Sequence, residues 1–335
     1  MERLTIIILL LLTLLAAVAD AQETDADRLH VVLINGGRNR LTNHERYWND
    51  CALLYRTLRQ TYHVPRRNIT VLMSDGGDPA PDMLLNDVSG FASSPTDLDG
   101  DGEADVTLGA TNACIELVLT ELAGKLTPDD RLFLFMIDHG DIDSQWGEPF
   151  VWLWNNERLR ASELATLLNH IRVSAVSVLL GQCHAGGFLT ALQREGRVVA
   201  AACSVGEQSW ACPDRPYDEF VYHWVCAVNK ADETGCPVDA DSDGDGLVTM
   251  QEAFDYARAH DRRPETPQYA SWPESMGRQW AFDGMSDTGV SDVTDSPTDV
   301  SVYSTAGIRQ SAIRRSQLYI VSRRGQPRKK VLKTK

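Results

Sequence analysis

A mostly parallel β-sheet covered by helices on both faces is the fold class this sequence predicts, on three observations. Apolar, β-branched runs alternate with segments of helical periodicity. Two of the runs, residues 131–140 (RLFLFMIDHG) and 174–188 (SAVSVLLGQCHAGGF), begin with a nearly unbroken apolar stretch, as strands buried on both faces do. Both stop near a glycine at a reactive side chain, His139 before Gly140 in one and Cys183 two residues after Gly181 in the other. Open α/β sheets place their sites at this carboxyl edge.

Residues 1–21 read as a secretory signal. Arg3 precedes an apolar run over 6–18, and Ala19-Asp20-Ala21 supplies an A-x-A cleavage site. The run is too short for a spanning helix, and no other stretch approaches that length. The mature chain is therefore expected to begin near Gln22 and to be secreted or held at the cell surface. The net charge is −15, yet the residues from Ser301 onward hold ten Arg or Lys and no acid, which leaves −25 on the rest. An acidic body argues against a nucleic-acid partner.

The elements follow in order. A strand over 29–34 ends in Asn35-Gly36-Gly37. Thr42-Asn43-His44-Glu45 has capping-box spacing, and Trp48, Cys51, Ala52, Tyr55 and Leu58 share one helical face. A strand over 69–73 precedes a loop-like stretch to about 105. Thr111 caps a helix whose face is Ile115, Val118, Leu119 and Leu122. The His139 strand, a Trp-rich segment, a helix marked by Leu164, Leu167, Leu168 and Ile171, and the Cys183 strand come next. A strand over 198–204 and a helix over 252–260 complete a domain spanning 22–285. A linker over 286–299 and a basic tail over 300–335 follow.

Seven cysteines are present. With Cys183 reserved as a free thiol, six remain, and six allow 15 connectivities. Cys51 and Cys114 lie in helical patterns and fit small buried positions. Cys203, Cys212, Cys226 and Cys236 fall close together and are the disulfide candidates of an exported chain.

A thiol becomes a nucleophile when a nearby imidazole or a helix N-terminus lowers its pKa. The glycines after Cys183 allow backbone N–H groups to face a developing oxyanion, and Gly140 offers another. A lone cysteine is more often structural; its pairing with Asp138-His139-Gly140 on a matching strand tips the reading to function. His184 adjoins the thiol, but a turn residue points away from its neighbour's target. His170, His223 and His260 have no partner readable in the sequence.

Asp138-His139-Gly140 together with Gln182-Cys183-His184-Ala185-Gly186-Gly187 resembles the legumain-like cysteine peptidases, relatives of caspases and gingipains, over about residues 29–282. The resemblance implies a caspase-like three-layer α/β sandwich, protein or peptide substrates, Cys183 as nucleophile and His139 as base and acid. Asn43 falls, after one inserted residue, where legumains have the Asn that orients this His; the competing role is a helix N-cap. Residues 207–212 (EQSWAC) are similar to the legumain segment ESSYAC that lines the pocket for the side chain before the cut. That pocket in legumains pairs an Arg with an acid and reads Asn. Here Glu45 falls at the expected Arg, His223 at the expected acid, and Ser209 is retained. Glu45 with Glu207, Asp218 and Glu219 predicts a preference for Arg or Lys. Two readings compete: Glu45 completes the capping box, or a one-residue slip puts Arg46 in the pocket and restores Asn or Asp.

Two acidic loops suggest calcium. Residues 241–252 fit an EF-hand loop, with Asp241, Asp243, Asp245, Leu247, Thr249 and Glu252 as ligands and Gly246 at the turn. Asp97, Asp99, Asp101, Glu103 and Asp105 start the same way, but Leu108 replaces the closing Glu. Both loops also read as solvated acidic turns, and calcium there would brace a loop. The tail holds three β-like runs and resembles the C-terminal sorting tails of the type IX secretion route of Bacteroidetes. A cationic tail that attaches to anionic lipid or polysaccharide is the other reading. Together these point to an exported bacterial cysteine endopeptidase. The alternatives are a transamidase or peptide ligase of the same fold, or a non-catalytic, calcium-dependent surface-binding module.

Overall fold

The computed structural model of the chain describes residues 24–86 and 90–286, and the backbone of 300–304, 309–310, 317–323 and 329–333. The expected signal at 1–21 and the linker beyond Ser286 lie outside the described residues. The chain divides into two compact units, Met1–Ser286 and Asp287–Lys335.

In the first unit the strands are β1 (Leu29–Asn35), β2 (Ile69–Met73), the short pair β3 (Met83–Leu84) and β4 (Phe91–Ala92), β5 (Val106–Leu108), β6 (Arg131–Ile137), β7 (Gly140–Ile142), β8 (Pro149–Leu153), β9 (Glu157–Arg160), β10 (Ala175–Leu180), β11 (Arg197–Ala201) and β12 (Gln268–Trp272). The helices are α1 (Glu45–Arg56), α2 (Asn112–Lys125), α3 (Ala161–Asn169), α4 (Phe188–Leu192), α5 (Glu219–Asn229) and α6 (Met250–His260). Seven strands form the main sheet in the order β12-β11-β10-β6-β1-β2-β5. All neighbours are parallel except β12, which runs antiparallel along β11. Every residue of β1, β6 and β10 is buried, as their unbroken apolar character requires.

The sheet separates two apolar cores. Leu29, Val31 and Leu33 of β1 and Phe133 and Phe135 of β6 pack with α1, α5 and α6 on one face. Val32, Ile34, Leu132 and Leu134 pack with α2, α3 and α4 on the other. Alternate side chains of each strand thus feed opposite layers, which makes the expected three-layer α/β sandwich.

Three elements were not legible in the sequence. The Trp-rich segment after His139 is a separate antiparallel sheet, β7-β8-β9. Helix α5 is buried on nearly every side, so its sequence (EFVYHWVCAVN) carries no polar stripe. Strand β12 closes the sheet edge. The expected disulfides do not form, for all seven cysteines are unpaired. Cys203, Cys212 and Cys226 are buried as small apolar residues, and burial pushes the Cys203 and Cys226 thiols up to about 12.

In the second unit the three β-like runs are strands Val300–Ser304, Gln317–Arg323 and Lys329–Lys333, joined by the short strand Arg309–Gln310 in one antiparallel sheet. No helix among the described residues is long and apolar enough to cross a membrane.

Candidate active site

Strand order fixes where a site can form. From β1 the chain moves outward through β2 to β5, then returns to the other side of β1 and moves the opposite way through β6, β10, β11 and β12. The reversal lies between β1 and β6, and a crevice opens there beyond the strand ends. The loop after β1 and the first turn of α1 bring Thr42 to Tyr47 to this crevice, and His139 follows the end of β6. Strand β10 pairs with β6 in the register Met136↔Leu180, and the Gly181 N–H continues the ladder to the Met136 carbonyl. Three residues further on each strand stand His139 and Cys183, so one register brings both reactive side chains to the same edge. At Gly140 a Cβ would lie 2.0 Å from the Cys183 carbonyl oxygen, so only glycine allows the two strand ends this close. Gly186 is needed likewise, since its Cβ would lie 2.7 Å from the Cys203 carbonyl oxygen.

The His139 ring is held by backbone. Its Nε2 lies 3.2 Å from the Thr42 carbonyl and 3.5 Å from the Tyr47 hydroxyl. A carbonyl only accepts, so this contact places the ring proton on Nε2 and leaves the lone pair on Nδ1. The expectation for Asn43 is corrected in both forms. The N-cap position of α1 is His44, not Asn43, and no side chain caps this end. The fully buried Asn43 amide donates to the Ser74 hydroxyl at 2.7 Å and to the Asp82 carbonyl at 3.0 Å, not to His139. It anchors the loop whose preceding carbonyl meets the ring. Burial first, then the Arg46 charge, hold the His139 pKa below its ordinary value, with the Thr42 carbonyl acting the other way. A depressed imidazole stays neutral to lower pH. The acid limb of the kcat/KM profile is therefore expected below the ordinary histidine value of about 6.5. A midpoint above that value, measured with a neutral substrate, would contradict this electrostatic picture.

Cys183 is half-buried, with Sγ 3.8 Å from the Ser209 hydroxyl and 3.9 Å from the Ser209 carbonyl. The segment similar to the legumain pocket wall thus lies against the thiol. Glu207 does not face the crevice: its carboxylate accepts from the Ser204 N–H and from the Thr266 N–H and hydroxyl. His184 adopts a left-handed conformation, and its Nδ1 meets the Val205 carbonyl at 2.8 Å, so it is turned from the thiol.

The pocket expected from Glu45 and His223 is corrected. Glu45 begins α1 and accepts from the Asn86 N–H at 2.9 Å, so it completes no capping box with Thr42. The next residue, Arg46, faces the crevice. Its Nε donates to Asp218 Oδ1 at 3.2 Å, and its Nη2 donates to the Tyr47 hydroxyl at 2.9 Å. Arg46 is the residue that the competing one-residue slip singled out. His223 pairs with Glu219 one turn back and stacks near His260, away from Arg46. The acid that pairs with Arg46 is Asp218, the N-cap of α5, which is buried and keeps Oδ2 without a hydrogen-bond partner. Beneath it, Asp50 accepts from the Asp218 N–H through both oxygens. Burial, then the Asp218 charge, push Asp50 well above the usual carboxylate range.

A family model described as the peptidase C13 family, that of the legumains, matches residues 30–275. The chain belongs to the peptidase C13 family. Its function is accordingly of the cysteine-peptidase type, with protein substrates. Among solved structures the peptidase is similar to protein GSU0716 from Geobacter sulfurreducens, at 11% identity and a TM-score of 0.45, over 78% of this chain and 100% of that one. No curated protein matches its sequence.

Away from the crevice, the peptidase folds its two acidic loops alike. Asp241 accepts from the N–H groups of Gly244 and Gly246, Asp243 from Asp245, and Asp245 from Leu247. Asp97, Asp99 and Asp101 do the same with Gly100, Gly102, Asp101 and Glu103. Carboxylate oxygens of Asp241, Asp243 and Glu252 lie within 4.8 Å of one another, as do those of Asp97, Asp99 and Asp105. Thr249 caps α6 in a reciprocal pair with Glu252. Asp245 also accepts from Ser286. The loops also differ in that Arg66 reaches Asp105 at 2.7 Å and Asp101 at 3.6 Å, so the first already holds a cation.

Sequence reasoning missed the Thr42 carbonyl, Tyr47, Asp50 and the role of Asp218. A backbone carbonyl has no sequence signature. Asp218 did have one, an N-cap before an apolar run, hidden because α5 lacks periodicity.

Proposed function

We propose that this peptidase is a cysteine endopeptidase that cleaves after Asn, and after protonated Asp, through a Cys183/His139 dyad. The observation that carries the reading is the shared register of β6 and β10, which brings one thiol and one imidazole to a single strand edge beside Ser209. His139 Nδ1 takes the Cys183 proton, and the sulfur attacks the peptide carbonyl carbon. Backbone N–H groups of Gly140 and Cys183 hold the oxyanion. The C–N bond then breaks as His139 gives its proton to the leaving amine, and a thioester remains. Water, deprotonated by His139, attacks that thioester and releases the acid and the thiol. Arg46 N–H groups suit a carboxamide oxygen, while Asp218 Oδ2 suits its NH2. Digestion of a peptide library, read by mass spectrometry, tests this: internal cuts after Asn are expected, and dominant cuts after Arg or Lys would refute it.

Calcium is proposed as a structural ion, held by Asp241, Asp243, Asp245, the Leu247 carbonyl, Thr249 and Glu252. The convergent oxygens fit one ion. Burial and the charges of Asp245, Glu252 and Asp241 raise Asp243, a cost that a divalent cation would remove. The ion would neutralise these carboxylates and brace the connection between α5 and α6. We expect a lower Tm in chelator, restored by calcium far better than by magnesium, and a blunted response in Glu252→Gln. The Asp97 loop should contribute less, because Arg66 competes there. An unchanged melting curve in chelator would overturn the assignment.

A further inference from the structure

A second polar cavity lies at the opposite edge of the sheet, where β10 and β11 begin. Its volume is about 240 Å³. Buried Leu168, Ile171 and Val176 give it an apolar floor, and Arg172, Arg194 and Arg197 also line it. Glu195 is the one acid in the lining, against three cations. Arg197 is 2% exposed, and no carboxylate compensates it. Its Nη1 donates to the Leu192 carbonyl at 3.3 Å and its Nη2 to Asn169 Oδ1 at 3.0 Å. Arg194 donates to the same Oδ1 at 2.7 Å and to the Asn169 carbonyl at 3.0 Å. Two cations thus converge on one neutral amide. Burial and the Arg194 charge lower the Arg197 pKa to about 10, the direction expected where a counter-ion is missing.

A buried guanidinium is ordinarily paired with a carboxylate or phosphate, because desolvating a lone charge is costly. Helix ends offset part of that cost here: Asn169 ends α3 and Leu192 ends α4, so both arginines sit at carbonyl ends where the dipole is negative. These contacts use only some of the N–H donors that two guanidinium groups carry.

We propose that this cavity binds a small organic anion, a carboxylate on an apolar body, with the carboxylate between Arg194 and Arg197 and the body on Leu168, Ile171 and Val176. The apolar floor favours an organic acid over a bare inorganic ion, and a volume of about 240 Å³ suits a small molecule. Val176 lies at the start of β10 and Cys183 past its end, so the run of strand from Val176 to Leu180, roughly 13 Å, already separates them. The bound acid would therefore not touch the catalytic crevice.

Benzoate is a suitable probe, titrated into the full chain and followed by methyl chemical shifts of Leu168, Ile171 and Val176. Saturable shifts at these methyls are expected, with benzyl alcohol giving none. Arg194→Gln, at an exposed position, should weaken benzoate at least about tenfold, close to the loss of one charge-assisted contact. Arg197→Gln should do the same if it folds, but the proposal stands on Arg194→Gln. Because Arg46 is also a cation, the Arg46→Gln/Asp218→Asn pair serves as a control and should leave these shifts unchanged. Absence of saturation, equal binding to Arg194→Gln, or inorganic phosphate binding as tightly as benzoate would each overturn the proposal.

Discussion

Cys183→Ala and His139→Ala are each expected to lower kcat/KM by at least about three orders of magnitude while leaving the fold intact. That loss corresponds to roughly 4 kcal/mol of transition-state stabilisation. Neither side chain belongs to the apolar cores: both stand past the ends of β6 and β10, where their removal leaves the paired ladder untouched. The two act as a unit, so the double variant should be little worse than either single one. Near-normal turnover in either variant, or equal and separable losses that multiply in the double, would remove the dyad from the mechanism. His184→Ala serves as the control, and activity should survive it, because its ring is spent on the Val205 carbonyl.

Arg46→Gln is expected to reduce kcat/KM for substrates with Asn before the cut by about a hundredfold or more, with a much smaller effect on other residues. A pocket built to hydrogen-bond an amide rejects side chains that leave its buried groups unpaired. The single substitution also strips Asp218 of its partner, and an uncompensated buried charge costs about 3–5 kcal/mol of stability. The Arg46→Gln/Asp218→Asn pair avoids this by removing both charges. It should fold and still lack the Asn preference. If the paired variant cleaves after Asn as well as the parent, or the parent prefers Arg, the pocket lies elsewhere. Glu45→Gln should change neither rate nor selectivity, since Glu45 faces Asn86 and not the crevice.

The strands, most helices and the placing of His139 and Cys183 at one sheet edge were legible because their signals are local. A strand buried on both faces must be apolar at every position, and 131–137 and 175–180 are. The reactive residues then follow at the strand ends, where glycines allow close approach. The pocket was legible only in part. Whether Glu45 or Arg46 faces the crevice depends on the rotation of α1 about its axis, and a shift of one residue turns a side chain by about 100°. That rotation is set by Tyr47, Cys51, Leu54 and Tyr55 packing on the sheet. The disulfides failed as an expectation because proximity in sequence says nothing of the side-chain geometry a bridge needs.

The sequence by itself determined the α/β layering, the two strand ends and the identities of the thiol and imidazole, because burial and backbone freedom select residue types position by position. Only the tertiary structure decided what orients and selects. It put the Thr42 carbonyl on His139, joined Arg46 to Asp218 across 172 residues, and set the Asp50 carboxyl against the Asp218 N–H. Each depends on distances between segments far apart in the chain. Such contacts are fixed by how helices rotate and pack on the sheet, which no local pattern of residues records.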